Sequence, residues 1–344
     1  MNVLLLTSHS IAEYDDLRML HDLGYDVFSI GAYTDPASPS DDKRPALPNV
    51  PYYADLAERC ERQRAAYGDP GPNIDWAKAR LHPDVIDWAD VIIVHHFVDR
   101  WIGEQWPRIS HKRVIWRTCG QSNPDLEHYM GGFVPHGLEI VRYSPAEARH
   151  FGEQGNFAGQ SALIRFGKYI EDYGGWTGND PVVGNVTQHM AQRGDACGYH
   201  FWMDATRGLP TAPAGPGSDA LADGEGAKPY DQLLAYLRRI RAYLYTGTTP
   251  ASYTLGLLEA LLTGTPTVSI GAEAWGDGWG GAALFEGHEL VRPGFDDPRR
   301  AHDALLSLLT DRTMAEELSV SQREFAQATF GMDVIGPQWK AFLG

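Results

Sequence analysis

The sequence predicts an α/β protein built from two Rossmann-like domains with parallel sheets. Short continuous apolar runs such as Val3–Leu6 read as strands buried on both faces. A helix-period segment follows the first run, giving the βαβ start of a helix-covered parallel sheet. The alternation lapses near residue 165 and resumes near residue 182, and 344 residues suit two domains at about 100–200 residues each.

Each element has its own local reason. Glu13–Leu23 places Leu17, Leu20 and Leu23 at helical spacing, and Gly24 stops it before a strand over Tyr25–Ile30. Residues 34–51, rich in Pro, Asp and Ser, read as a long surface loop. Asp90–Val94, Val114–Trp116 and Ile140–Tyr143 read as further strands with polar residues at their carboxyl ends, the edge where open α/β sheets bind ligands. The paired glycines between Arg165 and Asp180 mark the linker. Beyond it, Val182-Val183, Ala242–Tyr245 and Thr267–Ile270 read as strands, and Leu233–Leu237 and Leu255–Leu262 as helices. The segment from Leu209 to Pro229 reads as a loop, and the chain is mostly helical from Pro298 onward. The expected domains are 1–170, 171–325 and a closing helix over 326–344.

Composition narrows the function classes. Hydrophobic residues at 43% and aromatics at 11% provide two cores and exclude a disordered chain. The balance of 45 acidic to 29 basic residues, a net charge of -16, disfavours a protein that coats nucleic acid but leaves room for a local basic cleft. Cys60, Cys119 and Cys197 form no Cys-x-x-Cys pair, so a disulfide framework is excluded and a reducing cytoplasm is expected. The opening apolar run stops at Thr7 and reads as a strand, not a signal peptide, and no run approaches the ~20 apolar residues of a membrane span. Neither Asp-x-Asp at a strand end, nor His-Glu-x-x-His, nor a cysteine cluster supports a metal site.

The most informative stretch runs from Tyr245 to Ser269 and joins strand, loop, helix, turn and strand. Leu255, Leu258 and Leu262 share one helical face, and Ser252 and Thr254 are placed to cap the helix. Free N–H groups and the dipole at such an end attract a diphosphate, and Glu259, one turn further in, is placed to accept ribose hydroxyls. From spacing alone, a solvated helix acid behind plain caps is an equal reading.

This stretch resembles the signature of the GT-B glycosyltransferases, in particular retaining enzymes of the glycogen-synthase and sucrose-synthase kind. Tyr253-Thr254-Leu255 stands at the family's Phe-Gly-Leu-like triplet, Glu259 at its second acid and Gly264-Thr265-Pro266 at its Gly-x-Pro turn. Val183-Gly184-Asn185 followed by Arg193-Gly194 is similar to the family's strand, loop and Lys-Gly element. Phe330–Leu343, with Trp339, is similar to the helix that closes back on the first domain. In the first half the resemblance rests on the run Asp90–His95.

The resemblance implies a nucleotide-sugar donor, UDP- or GDP-linked, and metal-independent transfer that retains configuration. No cofactor beyond that donor is expected. Gly184, Asn185, Arg193, Ser252, Tyr253, Thr254 and Glu259 are the expected donor-binding residues, with Glu259 on ribose and Arg193 on the diphosphate. His95 and Arg193 are the expected catalytic pair, and His9, Ser10, His96 and Arg117 the acceptor side of an inter-domain cleft. Two departures stand out. Ala251 occupies the position of the family's first acid, and Arg193 replaces the Lys, keeping a permanent cation with a forked geometry for phosphate.

Other readings attach to the same residues. Strand alternation lets only one of His95 and His96 face a cleft, with His95 favoured by its offset from Asp90, and the other reading of either is a core histidine. His9, Ser10 and the segment Arg117–Gly120 also read as caps and loop anchors. Arg238, Arg239 and Arg241 read as a solvated helix face, and Gly271–Gly281, with Trp275 and Trp279, as a lid or a packed loop. The acceptor is a glycan, a lipid-linked sugar, a small molecule or a hydroxymethylated DNA base, the last needing a basic groove of Arg100, Lys112, Arg113 and Arg117. A non-catalytic nucleotide or glycan binder is the rival motivated by Ala251. A Rossmann dehydrogenase is disfavoured, because Ser8-His9-Ser10 stands where Gly-x-G-x-x-Gly would follow the first strand.

Overall fold

Two parallel sheets organise the chain, each in its own compact unit: Met1–Gly167 with Ile335–Gly344, and Lys168–Val334. The computed structural model describes residues 1–7, 9–31, 44, 80–95, 98–120, 122–153, 155, 157–274 and 294–344. His96 and most of the 34–51 loop lie outside them, as do the aromatic stretch from Trp275 and the side chain of Arg100.

In the first unit the apolar runs become strands β1 (Asn2–Thr7), β2 (Asp26–Gly31), β3 (Val91–Val94), β4 (Arg113–Arg117), β5 (Leu138–Arg142) and β6 (Ala162–Leu163). They pair in the order β2-β1-β3-β4-β5-β6, all parallel. Helices α1 (Ser10–Asp22), α2 (Pro83–Trp88), α3 (Val98–Ile109), α4 (Pro124–Gly131) and α5 (Pro145–Glu153) connect them. Their starts follow from sequence: Asn123 caps α4 by accepting from the Leu126 N–H, and proline opens α2 and α4, where no N–H partner is lost. Helix α1 begins three residues earlier than the leucine spacing alone indicates, because His9 Nδ1 accepts from the Ala12 N–H and starts the first turn there.

In the second unit β7 (Asp180–Gly184), β8 (Ile240–Tyr245), β9 (Thr267–Ile270) and β10 (Gly294–Phe295) pair in the order β10-β9-β8-β7, again all parallel. The described helices are α6 (Met190–Arg193), α7 (Tyr199–Ala205), α8 (Tyr230–Arg239), α9 (Leu255–Thr263), α10 (Pro298–Thr310) and α11 (Arg312–Phe330). A core of Val183, Trp202, Leu244, Val268, Leu305 and Leu308 fills the space between sheet and helices. The closing segment is two helices, not one. Helix α11 stops at Phe330, Gly331 breaks it, and α12 (Met332–Leu343) carries the chain back into the first unit from Ile335. No described helix is long and apolar enough to cross a membrane.

Strand β7 ends on a residue that has to be small. A Cβ on Gly184 would stand 2.2 Å from the Tyr236 hydroxyl and 2.5 Å from Ile240 Cδ1. Gly184→Ala is therefore expected to destabilise the protein by about 1–3 kcal/mol through overpacking. Urea unfolding measures this, and an unchanged midpoint would contradict the packing account.

Candidate functional site

The carboxyl edge of the second sheet gathers three loops. After β7, the Asn185 side chain donates to Leu244 O at 2.7 Å and Thr246 Oγ1 at 3.3 Å, while its Oδ1 accepts from the Thr187 N–H at 2.5 Å. The ends of β7 and β8 are thereby tied side by side. Next comes α6, whose last residue, Arg193, is exposed. The turn after it meets the third loop, since Ala196 O accepts from the Thr249 N–H at 2.8 Å. Burial raises the Cys197 thiol above its ordinary value, and the nearby Arg193 guanidinium opposes that rise. The third loop then leads into α9, capped by Thr254, whose Oγ1 accepts from the Leu257 N–H at 3.4 Å. A fixed cation and a capped helix N-terminus thus belong to neighbouring loops of one sheet edge, a combination suited to an anion.

Several expected ligand contacts turn out to be internal supports. Asn185, Ser252, Tyr253 and Glu259 are all buried. The Tyr253 ring packs 5.6 Å from Phe330, and Gly184 lies under Tyr236. Glu259 is not an open acid: Lys168 Nζ donates to its Oε1 at 3.1 Å, with side-chain exposures of 1% and 2%. The helix is buried from Leu257 to Thr263, so the Glu259 carboxylate one turn in is not presented to solvent. Arg238–Arg241 is likewise no loose solvated face, since Arg239 binds Asp180 and, at 2.5 Å, Glu225, and Arg241 Nε donates to Gly178 O at 2.5 Å.

The first unit buries two clusters of charged side chains. His95 follows β3 and is 1% exposed, with Nε2 lying 3.2 Å from Asp16 Oδ2. Arg117, fully buried at the end of β4, donates to the same carboxylate, and its guanidinium lies over the rings of Phe166 at 4.6 Å and Trp339 at 5.0 Å. Burial alone would raise the Asp16 carboxyl, but Arg117 and His95 outweigh it and hold it below the ordinary value. Burial holds His95 below its ordinary value despite Asp16, which leaves a neutral ring. The expected open roles of His95 and Arg117 thus give way to a buried charge cluster. His9 caps α1 and Ser10 is its buried first residue. A basic groove is not assembled by the described residues: Arg113 binds Glu139 and the carbonyls of Phe342 and Leu343, Lys112 donates to Asp87 O, and Arg117 is buried.

A second cluster sits at the ends of β4 and β5. Arg142 donates to both oxygens of Glu127, at 2.5 and 2.6 Å, and Ser122 donates to the same carboxylate. Glu147 accepts from Thr118 Oγ1 at 2.5 Å but stands 3.9 Å from Arg142, whose charge Glu127 already balances. Burial therefore pushes the Glu147 carboxyl up to about 7, only partly offset by Arg142 and Thr118. Sequence reasoning missed Asp16, Lys168, Glu127, Arg142 and Glu147. Acids at positions 13, 15 and 16 of a helix that otherwise buries leucines were the one available signal, whereas nothing around Lys168 has a period.

No family model matches the chain, and no curated protein does. Solved structures do match, over its full length. Sucrose-phosphate synthase from Thermosynechococcus elongatus superposes with a TM-score of 0.65 at 14% identity, covering 100% of this chain and 98% of that one. The fold is GT-B. Anabaena HepE in complex with UDP-glucose gives 0.65 at 14% identity, with 100% and 99% covered. An alpha-glucosyltransferase in complex with UDP-glucose and DNA containing an abasic site gives 0.62 at 11%, with 100% of both chains covered. In this GT-B chain the two parallel sheets, each with its own helices, are the two Rossmann-like halves of that fold.

The buried charges make two testable statements. Lys168→Met removes the buried cation 3.1 Å from Glu259 and should cost about 3–5 kcal/mol in urea unfolding, with most of it restored when Glu259→Leu is added. No recovery in the double variant would contradict the pairing. Glu147 binds its proton more tightly folded than unfolded, so its contribution to stability falls as pH rises from 4.5 to about 7 and is level above. Glu147→Gln should match the parent near pH 4.5 and exceed its thermal midpoint above pH 7. Parallel pH profiles would refute the assignment.

Proposed function

We propose that this protein is a glycosyltransferase that moves a sugar from a UDP- or GDP-sugar to an acceptor hydroxyl. The observation that carries the reading is the second sheet's carboxyl edge, where exposed Arg193 and the Thr254-capped start of α9 belong to adjoining loops. Cleavage of the donor's anomeric C–O bond leaves a nucleoside diphosphate with new negative charge. Fixed positive groups at that phosphate lower the barrier more than a strong base would. Arg193 offers a permanent forked cation, and the first-turn amides of α9 add the helix dipole, so the reading requires no divalent ion. Transfer with retention of configuration is the outcome the family resemblance favours.

Ribose recognition moves away from the Glu259 carboxylate, which Lys168 already occupies. The role of Glu259 becomes the anchoring of α9 beneath the diphosphate. Ala251, buried where the family's first acid is expected, leaves the transferred sugar to be recognised by other groups. The acceptor is a glycan or a small molecule taken by the first unit. A DNA base is the less favoured acceptor, because Arg113 and Arg117 are engaged internally.

Isothermal titration with UDP and GDP tests the reading, and absence of binding to folded protein would end it. Arg193→Ala is expected to weaken nucleotide binding about tenfold or more, as loss of a charge-assisted contact does, with the thermal midpoint unchanged because the residue is exposed. Slow hydrolysis of the bound nucleotide sugar separates an enzyme from a pure binder.

A further inference from the structure

The loop after β7 is held from behind with unusual completeness. The Asn185 N–H donates to the Tyr236 hydroxyl at 3.1 Å, and Asn185 O accepts from the Ala214 N–H at 2.8 Å. The Val186 N–H reaches the Tyr243 hydroxyl at 3.4 Å, and the Tyr236 hydroxyl is itself fixed by donating to Ala212 O at 2.5 Å. Both tyrosines are fully buried, and burial pushes both phenols well up, so they remain neutral hydroxyls.

This scaffold carries Val186, and one glycine makes room for it; Gly215, nearby, answers instead to its positive φ of 102°. A Cβ on Gly256, in the first turn of α9, would stand 2.9 Å from Val186 Cγ2. A glycine in a helix interior costs about 0.5–1 kcal/mol relative to alanine, so local helix preference gives no reason for one at position 256. Close approach of the loop does. Val186 is β-branched and stiff at χ1, so it cannot swing its methyl away cheaply.

We propose that the Val186–Gly256 contact is the positioning element of the anion site, setting the gap between the loop that leads to Arg193 and the first-turn amides of α9. The inference rests on the donor-site reading above and deepens it, since neither residue need touch the nucleotide. The two sides of a diphosphate must be met at once, and a rigid gauge between them fixes that span before the ligand arrives. Val186 and Gly256 are therefore positioning residues, acting through Arg193 and the helix end.

The test separates position from stability in the full-length chain. Gly256→Ala sets alanine's better helix preference against the strain at the Val186 methyl, so the thermal midpoint should stay within about 3 °C of the parent. It should nevertheless weaken UDP or GDP binding, measured by isothermal titration, about tenfold, because a displacement of a few tenths of an ångström disturbs both halves of the site. Adding Val186→Ala removes the clashing methyls and should restore affinity to within about threefold of the parent. Unchanged binding in Gly256→Ala, or weakened binding that Val186→Ala does not restore, overturns the inference while the donor-site reading stands. If the parent protein binds neither nucleotide, it is the donor-site reading that has failed.

Discussion

A parallel sheet delivers every loop that follows a strand to the same edge, and those loops can form a site only if their polar backbone is held from behind. In the second unit that restraint is one side chain above all, Asn185. Its amide bridges the end of β7 to Leu244 O and Thr246 Oγ1 on β8, and its carboxamide oxygen turns the chain at Thr187. Asn185, Leu244 and Thr246 are buried, and a lost partner there would leave an unsatisfied donor or acceptor at a cost of about 1–3 kcal/mol. The edge that carries Arg193 and the start of α9 is therefore fixed by hydrogen bonds within the protein.

The same rule governs charge. Lys168 and Glu259 are buried as a pair, and Asp16 is shared by Arg117 and His95, because isolated ions do not survive removal from water. The clusters differ in balance. Arg142 is matched by Glu127, so Glu147 is the acid left over and retains its proton to about neutral pH. Residues that look reactive in the sequence are thus largely spent on holding the two sheets' edges in shape. Among the described residues at the candidate site, Arg193 is a cation left facing water.

The sheets were legible because buried parallel strands are written as unbroken apolar runs. Val91–Val94 and Thr267–Ile270 need no tertiary information to be found. Helix α9 was equally plain, from its leucines and its Thr254 cap. Arg193 stood out through the resemblance of residues 183–194 to the family's strand, loop and Lys-Gly element. The partners of these residues were not legible. Lys168 lies 91 positions from Glu259, and Asp16 lies 101 from Arg117, and no local pattern encodes a contact across such a distance.

By itself the sequence determined two α/β halves, the order of their strands along the chain and the capped helix over Leu255–Thr263, because periodicity and capping are local properties. Only the tertiary structure decided which charged side chains are tools and which are ties. It turned Glu259, His95 and Arg117 inward onto buried partners and left Arg193 outside. The reason is physical: the free energy of a charge depends on the groups that replace its water, and those groups come from distant parts of the chain.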